Sequence, residues 1–431
     1  MDCKQRKSFE ECLEGARDGS ASDQTELGLL YLEGALGAPR DPALAAAWLR
    51  KAADASDPKA QYNLSYLLSA GLGVGRDPAE SFAYLEKAAL AGYPPAEQNM
   101  ATLHILGESL PRNVEKALEW YRKAAGHGDL IAMYQLGVLH LGGAGGVPRD
   151  PGLAAEYFRK AARGRLVDAQ YNLALMCYRG EGILEDKEEA ARLFYEAASR
   201  GNPQAQFSLA SMYEAGEGFP EPDPDKARFW CLEAAGNGYV PAQRAAGYRF
   251  LTGQGGYPRD SREAARWLSP AAAKGDGGAS FLLAAMHEAG DGTPRDLEAA
   301  FRLYGAAASQ GDAEAACRAA RLCLEGALEP GEEAGPAFAR LAEAADGGRP
   351  EAMRLLAEAC LKGDFVPADP AKALELYGAA ADLGDEDAMF AYAGLLLENP
   401  PGPAAAEKAR DLLRRLSDAG HAGARAMLGE A

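Results

Sequence analysis

The stretch DAQYNLALMCYRGEG, residues 168–182, returns 36 residues later as QAQFSLASMYEAGEG, residues 204–218. The alanine near the start of each phrase, Ala169 and Ala205, has counterparts at Ala60, Ala96, Ala132, Ala242, Ala279, Ala315, Ala352, Ala388 and Ala424. Consecutive members of this series stand 36 or 37 residues apart throughout. A period this strict marks stacked supersecondary units, each too small to bury its own apolar face. An earlier unit begins near Ser22 with TELGLLYLEG, which brings the array to about eleven units. The expected organisation is a half-repeat helix at 1–21 as a cap, the repeats over 22–424, and the start of a C-terminal capping helix at 425–431.

Within a unit the alanine is counted as position zero. The fourth position is then Leu64, Met100, Leu136, Leu173, Leu209 or Leu283, and the seventh is Leu67, Leu103, Leu139, Met176, Met212 or Met286. With the eighth position these form an apolar stripe at helical spacing. The fifth position is small (Ser65, Gly137, Ala174, Gly247), which predicts the close approach of a second helix. Glycine-rich text follows, GEGI at 180 and GEGF at 216, where glycine supplies the positive φ of a helix stop. Asp opens the second helix, with Pro just inside it at DP 41, 77, 150 and 369, an N-cap followed by proline at the first helical position. That helix carries an aromatic slot, Trp48, Tyr84, Trp120, Tyr157, Trp230 and Trp267, four residues before an alanine pair. Two departures stand out: GALEPGEEAGPAFARL, near 326–343, lacks a capping Asp, and ENPPGPAAAEKA replaces the glycine turn in the last unit.

Phrases such as AQYNL, GEG, DP, EWYRKAAGHG and LFYEAASRG resemble the Sel-1-like repeat, a relative of the tetratricopeptide repeat, over nearly the whole chain. The resemblance implies an all-α fold, a right-handed α-α superhelix (solenoid) of about eleven helix-turn-helix repeats of 36–37 residues. It also implies use as a non-enzymatic scaffold that holds other proteins.

Charge and composition narrow the partners. Lys and Arg number 45 against 63 Asp and Glu, a net charge of −18, and no basic cluster stands apart from acidic neighbours. A phosphate backbone is repelled on balance, so nucleic acid is not an expected partner. The opening MDCKQRKSFEECLEG scatters its charges, and no later run is apolar enough to span a bilayer. A soluble, cytoplasmic monomer with no membrane partner is expected. The cysteines at 3, 12, 177, 231, 317, 323 and 360 are odd in number and lack a CxxC pair, which suits a reducing compartment.

Groups capable of chemistry read mostly as packing. His104, His140 and His287 hold the eighth position, where other units place Tyr213, Phe250, Cys177, Cys323, Cys360 or Leu68. His127 and His421 stand in turns between units, and no histidine pair has the i, i+4 spacing of a helical metal site. No metal, cofactor or catalytic residue is therefore expected. SDPK, Ser56 to Lys59, matches the S-x-x-K of serine β-lactamases and penicillin-binding proteins, and a cysteine-rich secreted branch of the resembled family is associated with penicillin binding. Neither S-D-N nor K-T-G accompanies it, and the paired cysteines of that branch are missing. EPDPD, Glu221 to Asp225, reads as a capping Asp with its Pro rather than a calcium loop. A β-lactam-binding or hydrolysing enzyme, or a small-ligand or glycan binder, is the alternative to the scaffold.

If the stripe faces the core, the second, sixth and ninth positions lie near the opposite side of the first helix, the side that lines the concave groove of tetratricopeptide-like solenoids. The second position is repetitively aromatic (Tyr62, Tyr134, Tyr171, Phe207, Phe281, Phe390), which suggests stacking between neighbouring units. The sixth and ninth vary from unit to unit, so the repeat's own packing does not dictate them. The candidate groove for a peptide or protein segment comprises Tyr66, Tyr134, Val138, Leu141, Tyr171, Leu175, Tyr178, Arg179, Tyr248 and Arg321. The competing reading is that these side chains fill a tightly coiled superhelix.

Overall fold

The computed structural model describes residues 8–107, 110–143, 145–326, 334–399 and 402–429. Among the described residues the regular structure is entirely α-helical. The chain forms two compact units, one of residues 1–212 with 216–221 and one of 213–215 with 222–431. Helices of the first half run α1 (Phe9–Arg17), α2 (Ala21–Glu33), α3 (Pro42–Asp54), α4 (Pro58–Ala70), α5 (Pro78–Leu90), α6 (Pro94–Leu106), α7 (Val114–Gly126), α8 (Leu130–Gly142), α9 (Pro151–Arg163), α10 (Val167–Arg179), α11 (Lys187–Ala198) and α12 (Pro203–Ala215). The second half continues with α13 (Pro224–Gly236), α14 (Val240–Thr252), α15 (Ser261–Ala273), α16 (Gly277–Ala289), α17 (Leu297–Ala308), α18 (Ala313–Leu324), α19 (Ala334–Asp346), α20 (Pro350–Lys362), α21 (Pro370–Asp382), α22 (Glu386–Glu398), α23 (Pro403–Asp418) and α24 (Ala422–Leu428). Even-numbered helices from α2 onward are the first helices of the repeats, and odd-numbered ones from α3 are the second.

Both ends of each hairpin are set by neighbours a few residues away. The Asp41, Asp77, Asp150 and Asp369 carboxylates accept backbone N–H groups of α3, α5, α9 and α21, and each is followed by the expected proline. First helices stop at left-handed glycines such as Gly71, Gly143, Gly180 and Gly253. The chain then returns to the helix it has just left: in α3, α5, α7, α9, α11, α13, α15, α17 and α21 the amide of the N-cap donates to the carbonyl of the eighth position. Asp77 donates to Leu68 at 3.0 Å, Asp150 to His140 at 2.8 Å and Asp186 to Cys177 at 2.9 Å. One backbone bond thus closes the turn of each of these hairpins.

The stripe is the core. Ala60, Leu64, Leu67 and Leu68 of α4 are buried, as are Leu136 and His140 of α8, Leu173, Met176 and Cys177 of α10, and Leu209, Met212 and Tyr213 of α12, whereas Leu103 and Leu139 at the seventh position are only half-buried. The small fifth position matters as expected, since a Cβ on Gly137 would fall 2.6 Å from Phe158 Cε1 and one on Gly247 2.5 Å from Leu268 Cγ. In the second helices the inward position is one residue past the aromatic slot: Leu49, Tyr121, Phe158, Phe194, Leu268 and Tyr304 are buried. All four tryptophans are only half-buried. A lysine three residues on covers two of them, Lys51 at 4.1 Å from the Trp48 ring and Lys123 at 4.2 Å from Trp120.

A glutamine girdle joins successive hairpins. The position after the alanine holds Gln24, Gln61, Gln206 and Gln243, each buried, and each amide donates to a carbonyl eight residues upstream that closes the preceding second helix, at 3.0–3.2 Å. At the last repeat α22 has Asn399, with φ −135°, as its C-cap where first helices such as α10 and α20 have a left-handed glycine, and α23 starts after Gly402 with no side-chain cap among the described residues, matching the departure in the sequence. Of the departure near 326–343, residues 327–333 lie outside the described residues.

Candidate functional site

The ten candidate groove residues fall into three physical groups. Tyr66, Val138 and Tyr248 are 57%, 39% and 45% exposed on the sixth positions of α4, α8 and α14, available for contact at no cost to the core. Arg179 is also exposed, and Leu141 and Leu175 are half-buried. Tyr134 and Tyr171 pack instead on the inward aromatics of the next helix, 5.7 Å from the Phe158 ring and 5.8 Å from Phe194. Asn172 Nδ2 reaches the Tyr134 hydroxyl at 3.5 Å, as Asn99 reaches Tyr62 at 3.4 Å, so second-position tyrosines link consecutive first helices. Tyr178 and Arg321 are held by neighbouring repeats. The Tyr178 hydroxyl donates to Glu217, which also receives Lys187 Nζ at 2.7 Å, and Lys187 lies 5.4 Å over the tyrosine ring. The bond to Glu217 holds the Tyr178 hydroxyl above its ordinary pKa, and the Lys187 bond, with that hydroxyl, holds Glu217 below the carboxylate range. Arg321 pairs with Glu351.

A cavity of ≈ 640 Å³ opens where α4, α5 and α6 meet. Tyr62 and Tyr66 form one wall, Phe82 and Leu85 of α5 with Leu103 of α6 supply apolar surface, and Ser65, Ser69, Arg76, Asn99 and Thr102 add polar groups. Thr102 Oγ1 lies 3.2 Å from the Tyr121 hydroxyl, whose pKa burial pushes upward. The Ser81 hydroxyl donates to the Ser65 carbonyl at 2.7 Å, so part of the polar lining is already satisfied within the protein. Sequence reasoning found Tyr66 here but missed Phe82, Leu85 and Leu103. The available signal was Phe82 itself, a large residue where α3, α9 and α11 have Ala46, Ala155 and Ala191.

The groups weighed for chemistry are engaged elsewhere. Lys59 Nζ bonds Glu26 Oε1 at 2.6 Å, while Ser56 stands in an exposed turn with φ 66°. Asp223 caps α13 by accepting from the Lys226 amide. His127 Nδ1 meets the buried Glu97 at 2.8 Å, and His421 Nδ1 accepts from the Ala424 amide as the cap of α24. Burial raises the Cys177 and Cys360 thiols, and those of Cys317 and Cys323 rise to about 11, which favours the protonated thiol over the thiolate. Among the described residues, no group of three or more His, Cys, Asp or Glu is placed to hold a metal ion.

His140 is buried with both ring nitrogens lacking a hydrogen-bond partner among the described residues, stacked at 6.1 Å on Tyr157. Its counterpart in α14 is Phe250. His140→Phe is expected to keep the stacked shape and remove two desolvated polar atoms, stabilising the fold by about 1–2 kcal/mol. A rise in thermal midpoint checks this; an unchanged or lower midpoint contradicts it.

The protein-family model for the Sel1 repeat matches residues 21–57, 58–93, 94–129, 130–165, 167–202, 203–239, 240–276, 278–312, 350–385 and 386–421. The chain belongs to the Sel1-repeat family. Each matched Sel1 window from 58 onward begins within a residue or so of the start of a first helix and runs through the second, so the family unit and the structural hairpin coincide. Among solved structures, this Sel1-repeat chain is similar to c5321, a protective antigen of uropathogenic Escherichia coli displaying an SLR fold. That likeness has 27% identity and a TM-score of 0.69 over 97% of this chain and 89% of that one. It is also similar to a Sel1 repeat protein from Oxalobacter formigenes, at 31% identity and a TM-score of 0.56 over 71% of this chain and 88% of that one. Among curated proteins, no sequence matches. Sel1-repeat solenoids are in general protein-interaction scaffolds. Among the described residues no helix is long and apolar enough to cross a membrane.

Proposed function

We propose that this chain is a non-enzymatic, cytoplasmic, monomeric scaffold whose repeats run over 22–424 and which binds a segment of a partner protein along the first-helix side. The cavity between α4, α5 and α6 is its principal anchor pocket. The observation that carries the reading is that the ≈ 640 Å³ cavity combines exposed Tyr66 with an apolar lining of Phe82, Leu85 and Leu103. Such a site accepts one large apolar side chain, while the serine, threonine and asparagine groups at its edge bond the segment's backbone. Val138 on the equivalent position of α8, in the same compact unit, offers further apolar contact.

A photo-crosslinking amino acid at position 66 is expected to capture one defined segment of one partner. Tyr66→Ala should then weaken binding of that segment, made as a synthetic peptide, by roughly tenfold. Because the Tyr66 ring is 57% exposed, the fold and its circular dichroism should not change. Equal affinity for wild type and variant, with the fold intact, would remove this cavity as the binding site.

A further inference from the structure

A second cleft, of ≈ 420 Å³, lies among α9, α10, α11 and the turn that joins α9 to α10, and shares no residue with the cavity at Tyr66. Its lining includes Arg159 and Arg163, one helical turn apart on α9, and Arg165 in the turn. None of these three guanidinium groups has a hydrogen bond or ion pair among the described residues, whereas Arg192, on the α11 side, is held by Glu189 and Glu196. On a molecule of net charge −18, positive charge concentrated around one concavity runs against the general trend.

Two local departures from the repeat coincide here. Arg165 has φ 65°, at the position where the next repeats have the left-handed glycines Gly201, Gly238 and Gly275, a conformation that costs an arginine but not a glycine. Gln170 departs from the glutamine girdle: its Nε2 donates to Glu196 Oε2 at 2.7 Å instead of to the carbonyl eight residues upstream. Its side chain, 3% exposed, lines the cleft, and its Oε1, like those of Gln61 and Gln243, is buried with no hydrogen-bond partner among the described residues.

We propose that this cleft binds an acidic peptide segment: carboxylates are taken by Arg159, Arg163 and Arg165, and a neighbouring backbone N–H is taken by Gln170 Oε1. Guanidinium groups select an oxyanion, and a charge-assisted pair is about twice as strong as a neutral hydrogen bond. The buried acceptor selects for a donor beside that oxyanion, which a peptide carries and a fully ionised inorganic anion does not. Glu189 and Glu196 at the rim set a limit on how much negative charge can enter.

The test uses the full chain and a fluorescein-labelled octapeptide of alternating Asp and Glu, read by fluorescence anisotropy, with the matching Asn/Gln octapeptide as control. Saturable binding of the acidic peptide alone is expected, weakened at least about tenfold in the double variant Arg163→Ala, Arg165→Gly. Glycine at 165 suits the backbone there, so this variant keeps the fold. Gln170→Met, the residue type that Met133, Met353 and Met389 provide at this position, should weaken the peptide about threefold and leave competition by inorganic sulfate unchanged. The proposal is overturned if the acidic peptide does not bind, if the neutral one binds equally, or if the arginine variant binds as wild type does. It is likewise overturned if Gln170→Met leaves peptide affinity unchanged, the behaviour of a bare anion site.

Discussion

Gly182→Ala is expected to destabilise the chain by about 3 kcal/mol, concentrated at α9, α10 and α11. Gly182 is the second glycine of GEG, two residues after the glycine that ends α10, and has φ 73°. A Cβ there would stand 2.4 Å from the carbonyl carbon of Pro151 and 2.6 Å from its oxygen, at the first residue of α9. Backbone cannot yield as a side-chain tip can, so the loop must lift off the helix in the preceding repeat. The left-handed φ alone costs about 1–2 kcal/mol in a non-glycine residue, and relieving the overlap costs about another 1–3. Gly201→Ala is the control, since Gly201 has φ 86° but, among the described residues, nothing within 4 Å of the added carbon. Denaturant titration of both variants, with hydrogen exchange to place the loss, separates the two contributions. Equal destabilisation by both would show that the close approach has no energetic weight. Gly73, Gly218 and Gly292 press on Pro42, Lys187 and Ser261 in the same way, so the effect should recur at those repeats.

Phe158→Ala should have a larger effect, a loss of roughly 3–5 kcal/mol. The ring is fully buried, fits over Gly137, and packs 5.7 Å from Tyr134. Its removal opens a void that Gly137 has no side chain to fill, so little of the cost is recovered by relaxation. In a repeat array the damage should stay near α8 and α9, because each hairpin contacts only its neighbours. Hydrogen exchange should show lost protection there and native protection in α3–α5. Replacing the neighbouring slot residue, Tyr157→Ala, should cost distinctly less because Tyr157 is only half-buried. A reversal of that order would refute the inward assignment of position 158.

The candidate site was legible in part. Tyr66, Val138 and Tyr248 stand out because they vary where the repeat does not constrain them, and they are exposed. Tyr178 varies in the same way, yet its hydroxyl is committed to Glu217, 39 residues away. Arg321 is likewise committed to Glu351, 30 residues on. Variation at a position reports freedom from the unit's own packing, not from a partner one repeat further along. Phe82 and Leu103, which line the cavity beside Tyr66, come from helices whose sequence patterns alone do not say that they meet.

From the sequence alone follow the period, the helix-turn-helix unit, both helix ends and the buried stripe of the first helix. Each depends on contacts within a few residues: a carboxylate on amides two or three residues on, a glycine at its own φ, apolar side chains a helical turn apart. The tertiary structure decided which face of the second helix turns inward, why GEG needs its second glycine, which variable side chains remain open, and where clefts form. Those outcomes depend on groups about one repeat apart in the chain, brought together only when the hairpins stack.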